Sequence, residues 1–239
     1  MLRAWRRYGV IAVALALAAA APSARSQADG VSPSEAIAKL KSGNATFVAS
    51  PDGPLPITVA RRTALAQGQA PFAAVLSCAD SRVPPEVIFH VGLGDLFVVR
   101  SAGHVADRAI LASLEYGADH LHVPLVVVMG HESCGAVKAA AETPPTQSMG
   151  PNLDYLLKAI RPAVAAAGAR ADAAGLRAAI LKNVEDTVND LMDDSAILRH
   201  MADSGSLGLV GAYYELSSGR VYFSEPVSVT LQARVGASH

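Results

Sequence analysis

The chain has 239 residues, 51% of them hydrophobic and only 17% charged, with 20 basic and 21 acidic side chains. That length supports one well-cored domain. A near-neutral balance without a basic run in the body of the chain argues against a nucleic-acid partner, because phosphates need a cationic track.

Residues 1–28 read as a secretory signal peptide. Arg3, Arg6 and Arg7 precede an uncharged apolar run from Val10 to Ala21, and Ser26-Gln27-Ala28 offers small residues for cleavage. The run is short for a membrane span, so no stable membrane insertion is expected after cleavage. Arg6-Arg7 is also a twin arginine, which leaves the export route open. Removing residues 1–28 takes away four arginines and no acid, so 20 basic residues become 16 against 21 acidic, a net charge of −5.

Ser32-Pro33-Ser34-Glu35 is a helix start: Ser32 caps, Pro33 suits the first turn, and Glu35 completes a capping box. Ile37, Leu40, Phe47 and Val48 continue it. Pro51-Asp52-Gly53-Pro54 breaks the chain, and a second helix is expected from about Thr58 to Gln67, ending at Gly68. Strands are expected at Ala73–Ser77, Asp95–Arg100, Leu125–Met129 and Leu207–Tyr214. A last one, Val221–Glu225, follows the turn Ser217-Ser218-Gly219. Helices are expected at Ala106–Gly117, at Gly135–Ala141 and across most of Asn152–His200, with a bend at Pro162 and with Ala163–Gly175 open between loop and helix. Runs such as Leu125-Val126-Val127-Val128 suit strands covered on both faces.

The fold class is therefore α/β: a mostly parallel sheet of four strands plus a C-terminal edge strand, flanked by helices, with an N-terminal helical arm. Residues 29–239 are expected to form one domain, with the arm at 32–70 and the core at 71–239.

Two segments carry the chemistry: Cys78-Ala79-Asp80-Ser81-Arg82 and His131-Glu132-Ser133-Cys134. Each follows an apolar strand, and sites on parallel sheets gather at the strands' carboxyl ends. Two thiolates and one imidazole suit Zn²⁺, and three protein ligands leave a fourth position for water or for Asp80. By count alone, two cysteines in an exported chain would form a disulfide. The polar partners beside them, Asp80 and Arg82 at one and His131 at the other, favour a metal instead.

The pattern Cys-x-Asp-x-Arg followed by His-x-x-Cys resembles the β-class carbonic anhydrases, of an exported bacterial type. Cys78 to Pro84, Gly130 to Val137, Leu96 to Gly103 and Leu40 to Asn44 resemble its segments in order, across about Ser34 to Ser224. The resemblance implies zinc held by Cys78, His131 and Cys134, and reversible hydration of carbon dioxide to bicarbonate by a zinc-bound hydroxide. Asp80 and Arg82 would orient and gate that site, Asp80 serving as a conditional fourth ligand. Gln69 would contact substrate across a subunit interface in a homodimer or homotetramer. Val83, Leu93 and Gly103 are candidate walls of the substrate berth, and His104 or His90 a candidate proton relay. Glu132 and Ser133 are expected to orient rather than react. Regulated members carry a tryptophan where this chain has Val75, leaving Arg100 as the one matching residue of a bicarbonate pocket. The alternatives are a hydrolase of carbonyl sulfide or carbon disulfide on the same fold, and a non-catalytic zinc-binding protein.

Overall fold

A computed structural model describes residues 30–168 and 172–224. The expected signal peptide, with Trp5 and the twin arginine, lies outside the described residues, as does His239. Strands β1 (Ala73–Cys78), β2 (Leu96–Ser101), β3 (Leu125–His131), β4 (Gly208–Tyr214) and β5 (Val221–Phe223) form one sheet in the order β2-β1-β3-β4-β5. The first four run parallel and β5 is antiparallel to β4. The chain moves from β1 outward to β2, then crosses back to β3 on the other side of β1. A cleft opens at such a reversal, beyond the strands' carboxyl ends.

Side chains alternate across the sheet with the two-residue period of extended backbone. Ala73, Val75, Val127, Met129 and Val210 enter one core, while Ala74, Leu76, Val126, Val128 and Leu209 enter the other. The first core is covered by α1 (Pro33–Ala49), α3 (Pro85–Ile88), α5 (Gly135–Glu142) and α6 (Pro151–Ala166). The second is covered by α4 (Arg108–Glu115) and α8 (Ala196–Asp203). The long α7 (Ala173–Asp194) serves both, sending Ile180 to the first and Val184, Val188 and Leu191 to the second. It seats directly on the sheet at two glycines. A Cβ at Gly130 would come within 2.7 Å of Val184 and 2.9 Å of Ile180, and one at Gly211 within 2.8 Å of Val184.

Helix α1 carries the expected capping box, with Ser32 Oγ accepting from the Glu35 N–H and Glu35 accepting from the Ser32 N–H. Its buried face packs on the core through Ala36, Leu40 and Asn44. The Asn44 amide donates to the carbonyls of Ile88 and Gly219 and accepts from the Val221 N–H, tying α1 to α3 and β5. Helix α2 (Val59–Leu65) buries no residue; Arg61 holds it through the Asp95 carboxylate at 2.7 Å.

The boundaries differ from expectation for local reasons. Asp107 caps α4 by accepting from the N–H groups of Ala109 and Ile110, so the helix starts at Arg108 rather than Ala106. Past Glu115 it widens into a π turn, Tyr116–His120. Helix α6 runs on past Pro162 to Ala166. Strand β5 ends at Phe223, although Ser224 still donates its N–H to Gly211; Glu225 lies outside the described residues. Among the described residues, no helix is long and apolar enough to cross a membrane.

Candidate metal centre

Cys78 is the last residue of β1 and His131 the last of β3, so adjacent parallel strands deliver a thiol and an imidazole to the same rim. The chain then turns within two residues to bring in Cys134. Ser133 makes that turn at φ 56°, a left-handed conformation costly for a residue with a Cβ. Cys134 immediately precedes α5, and the N–H groups of Ala136 and Val137 in the first turn favour negative charge on its sulfur.

All three side chains are buried, and their ligand atoms lie within 4.8 Å of one another. The two sulfurs are 4.0 Å apart and the cysteines are free, so they form no disulfide in this structure. Two sulfurs on a tetrahedral zinc stand about 3.8 Å apart. The His131 Nδ1 sits 2.9 Å from the Glu132 carbonyl and donates to it, which turns the lone pair of Nε2 inward. That Nε2 is buried with no hydrogen-bond partner. An orphaned imidazole nitrogen facing two thiols is a donor set that fits a zinc ion.

The thiols interact with each other. Hydrogen bonding from Cys134 lowers the Cys78 thiol most, and the N–H groups of Asp80 and Gly103 lower it further against its burial. The same contact, then burial, pushes Cys134 up. The contact holds one thiol down and the other up, so the two do not ionise independently, and a cation in the site would displace the protons they keep.

Asp80 stands at the edge of this cluster, its Oδ2 4.0 Å from His131 Nε2. Arg82 grips it: Nε donates to Oδ1 at 2.9 Å, Nη2 to Oδ2 at 2.7 Å, and the Arg82 N–H to Oδ1 at 2.9 Å. The Arg82 hydrogen bonds hold the carboxyl well below the usual range, so Asp80 is an anion and an acceptor. Arg82 also reaches the Ser133 carbonyl, so one guanidinium spans both ligand loops.

Val83 is fully buried in the same core cluster as Cys78 and Cys134. Gly103, in a left-handed conformation at φ 63°, points its N–H at the Cys78 sulfur, 3.3 Å away. Gln69 is exposed and precedes β1, at the amino ends of the strands. Six strand residues, about 20 Å, separate it from the site of its own chain. Its expected substrate contact therefore concerns a second copy. Leu93 also lies at the amino end, before β2, and is likewise remote from the three ligands of its own chain. His104 is no exposed proton relay: it is fully buried, and burial drives its pKa down to about 4. His90 lies on the loop after α3, on the amino side of β2.

Three further side chains brace the site. Arg100 donates to the carbonyls of Cys78 and Asp80, bracing the ligand loop. Glu132 accepts from the Ser217 N–H, tying the His131–Cys134 turn to the β4–β5 loop. Asn183 of α7 donates to the Gly103 carbonyl. Its one sequence signal is an amide beside the apolar stripe of Ile180 and Val184.

The family model described as carbonic anhydrase matches residues 73–221. "Carbonic anhydrase 2" of Mycobacterium tuberculosis is 41% identical over 189 residues, 79% of this chain and 91% of the relative. Among solved structures, a β-carbonic anhydrase of Coccomyxa is 27% identical with a TM-score of 0.63, covering 70% of this chain and 78% of that one. A structure from a study of two tetrameric β-carbonic anhydrases of Sordaria macrospora is 25% identical with a TM-score of 0.63, covering 79% and 96%. The sheet order, the convergent Cys78, His131 and Cys134, and a relative spanned almost end to end all agree, and this chain belongs to the β-class carbonic anhydrases.

Proposed function

We propose that the chain catalyses the reversible hydration of carbon dioxide to bicarbonate with one zinc ion held by Cys78, His131 and Cys134. The observation that carries this reading is the buried, unpartnered Nε2 of His131 facing two free sulfurs 4.0 Å apart. Zinc so held lowers the pKa of a bound water to about 7 and supplies a hydroxide nucleophile at neutral pH.

The chain's residues do the rest. Two thiolates place more negative charge at the site than imidazoles would, and the N–H groups of Gly103, Ala136 and Val137 draw part of it off the sulfurs. Asp80, kept ionised by Arg82, would accept a hydrogen bond from a nucleophile held beside it and so orient that nucleophile's lone pair towards substrate carbon. Released from Arg82, the same carboxylate would be free to hold the metal itself and close the site. Val83, fully buried beside the ligand cysteines, and Gly103 are the residues assigned to an apolar berth for a small neutral molecule. Gln69 of a second copy completes it in a homo-oligomer. The arginines and apolar run at the amino terminus support export to the periplasm or beyond.

The test is zinc content and carbon dioxide hydration in the wild type, Cys78→Ser and His131→Ala. Metal and activity are expected to vanish together in both variants. Full zinc retention in either would refute the ligand assignment. Amino-terminal sequencing of the secreted protein tests export; a start at Met1 would contradict it.

A further inference from the structure

We propose that Asn183 is a positioning residue of the metal centre, holding the Gly103 amide on the Cys78 thiolate from the far side of the ligand loop. The inference rests on the zinc reading above and extends it to a helix that contributes no ligand.

Asn183 is a buried polar residue, 4% exposed, in the middle of α7. Its Nδ2 lies 2.9 Å from the Gly103 carbonyl and 2.9 Å from His104 Nε2. An amide nitrogen has two hydrogens to give, and both go to one dipeptide. His104 Nε2 must then accept, which fixes the ring as the neutral tautomer protonated at Nδ1. The dipeptide pinned in this way carries the N–H that meets the Cys78 sulfur at 3.3 Å.

That N–H needs a holder. Gly103 sits at φ 63°, ψ 19°, and glycine leaves such a conformation at little cost. With the carbonyl of the following peptide fixed to Asn183, and Ile160 and Ala136 close enough to exclude a Cβ, the glycine's own torsions are held and with them the N–H of the preceding peptide. Helix α7 is itself fixed relative to the ligands. Ile180 and Val184, which bracket Asn183, seat on Gly130, the residue before His131. One helix therefore references the positions of both Cys78 and His131.

Satisfying a buried amide does not by itself require this arrangement. Thr187, one turn on, shows the ordinary solution, donating to the backbone carbonyl of Asn183 within its own helix. Asn183 instead spends both donors on the loop that supports the thiolate.

An N–H donor stabilises negative charge on sulfur. Losing it raises the energy of the sulfur electrons and loosens the ligand. Outer partners of metal ligands are worth about 10–100-fold in metal affinity or activity. Asn183→Leu keeps the branched shape, with somewhat more bulk, and removes both donors. It is expected to weaken zinc affinity about 10–100-fold in chelator competition. In the cobalt-substituted protein, the thiolate-to-cobalt charge-transfer band is expected to move to longer wavelength. Thr187→Val, a buried polar deletion on the same helix without a link to the loop, is expected to shift neither. If Asn183→Leu does not fold, Asn183→Ser, which retains one donor on a shorter side chain, is read by the same two measurements and is expected to move both in the same direction. A folded Asn183 variant with wild-type zinc affinity and an unmoved band overturns the proposal, as does an equal shift in Thr187→Val. The wild type separates the two readings: failure of the wild type itself to bind zinc or cobalt removes the zinc assignment, whereas a normal wild type with an unaffected Asn183 variant removes this inference alone.

Discussion

Replacing Arg82 with alanine separates a gate from a surface ion pair. The side chain supplies two of the three N–H groups on the Asp80 carboxylate, Nε on Oδ1 and Nη2 on Oδ2. The third, from the residue's own backbone, stays on Oδ1 in the variant. The oxygen set free is therefore Oδ2, the one that faces His131 at 4.0 Å. A nitrogen and an oxygen on one tetrahedral zinc stand about 3.4 Å apart, so Oδ2 has only about 0.6 Å to close. A freed anion that near a cation will bind it and exclude water. Stopped-flow hydration of carbon dioxide, with zinc measured on the same sample, is the assay. Activity is expected to fall about 10–100-fold, the usual weight of an outer-shell partner, with zinc still at one per chain. A near wild-type rate would show that Arg82 holds nothing in reserve. Loss of zinc in step with activity would make it a structural support of the ligand loop instead.

Asn44→Ala leaves the carbonyls of Ile88 and Gly219 and the N–H of Val221 without their partner. About 2–4 kcal/mol of stability should be lost in urea unfolding; a loss below 1 kcal/mol would mean that water replaces the amide. The buried His104 is held neutral, its pKa about 4 in the fold against an ordinary 6.5. Its contribution is therefore complete above pH 6.5 and is lost as pH falls towards 4, because the unfolded chain takes up the proton first; the amount is on the order of 3 kcal/mol. Urea unfolding across that window should steepen with acid in the wild type and less so in His104→Gln, and equal slopes would contradict the assignment. Val75 is fully buried between Val98 and Val127 and offers no N–H for an anion, while Arg100 is engaged by the carbonyls of Cys78 and Asp80. Initial rates of bicarbonate dehydration near neutrality are expected to rise hyperbolically with substrate, and a sigmoidal curve would show that an anion pocket forms regardless.

The donors were legible because their chemistry is local. Two cysteines and a histidine, each just past an apolar strand, point to one rim of a parallel sheet whatever the rest of the chain does. The capping box at Ser32 and the Asp80–Arg82 pair span two or three residues and are visible for the same reason. What stayed hidden depends on contacts between distant segments. Gly103 and Asn183 are 80 residues apart, and only the seating of α7 on Gly130 and Gly211 brings them together. The strained turn at Ser133 is equally silent, since a serine carries no mark of left-handed backbone until two ligands on either side demand it. Leu93 and His104 look, from their sequence neighbours, like accessible residues of their own chain's site. The direction of β2 carries the first to the opposite rim, and burial takes the second out of reach of solvent.

X-ray absorption at the zinc edge of the purified wild type near neutral pH tests the central claim most directly. Two sulfurs at about 2.3 Å, one nitrogen at about 2.0–2.1 Å and one further light atom are expected, falling to one sulfur in Cys78→Ser if any metal remains. A wild-type spectrum with fewer than two sulfurs around zinc, or a protein whose two cysteines are joined and whose zinc is absent, would contradict it.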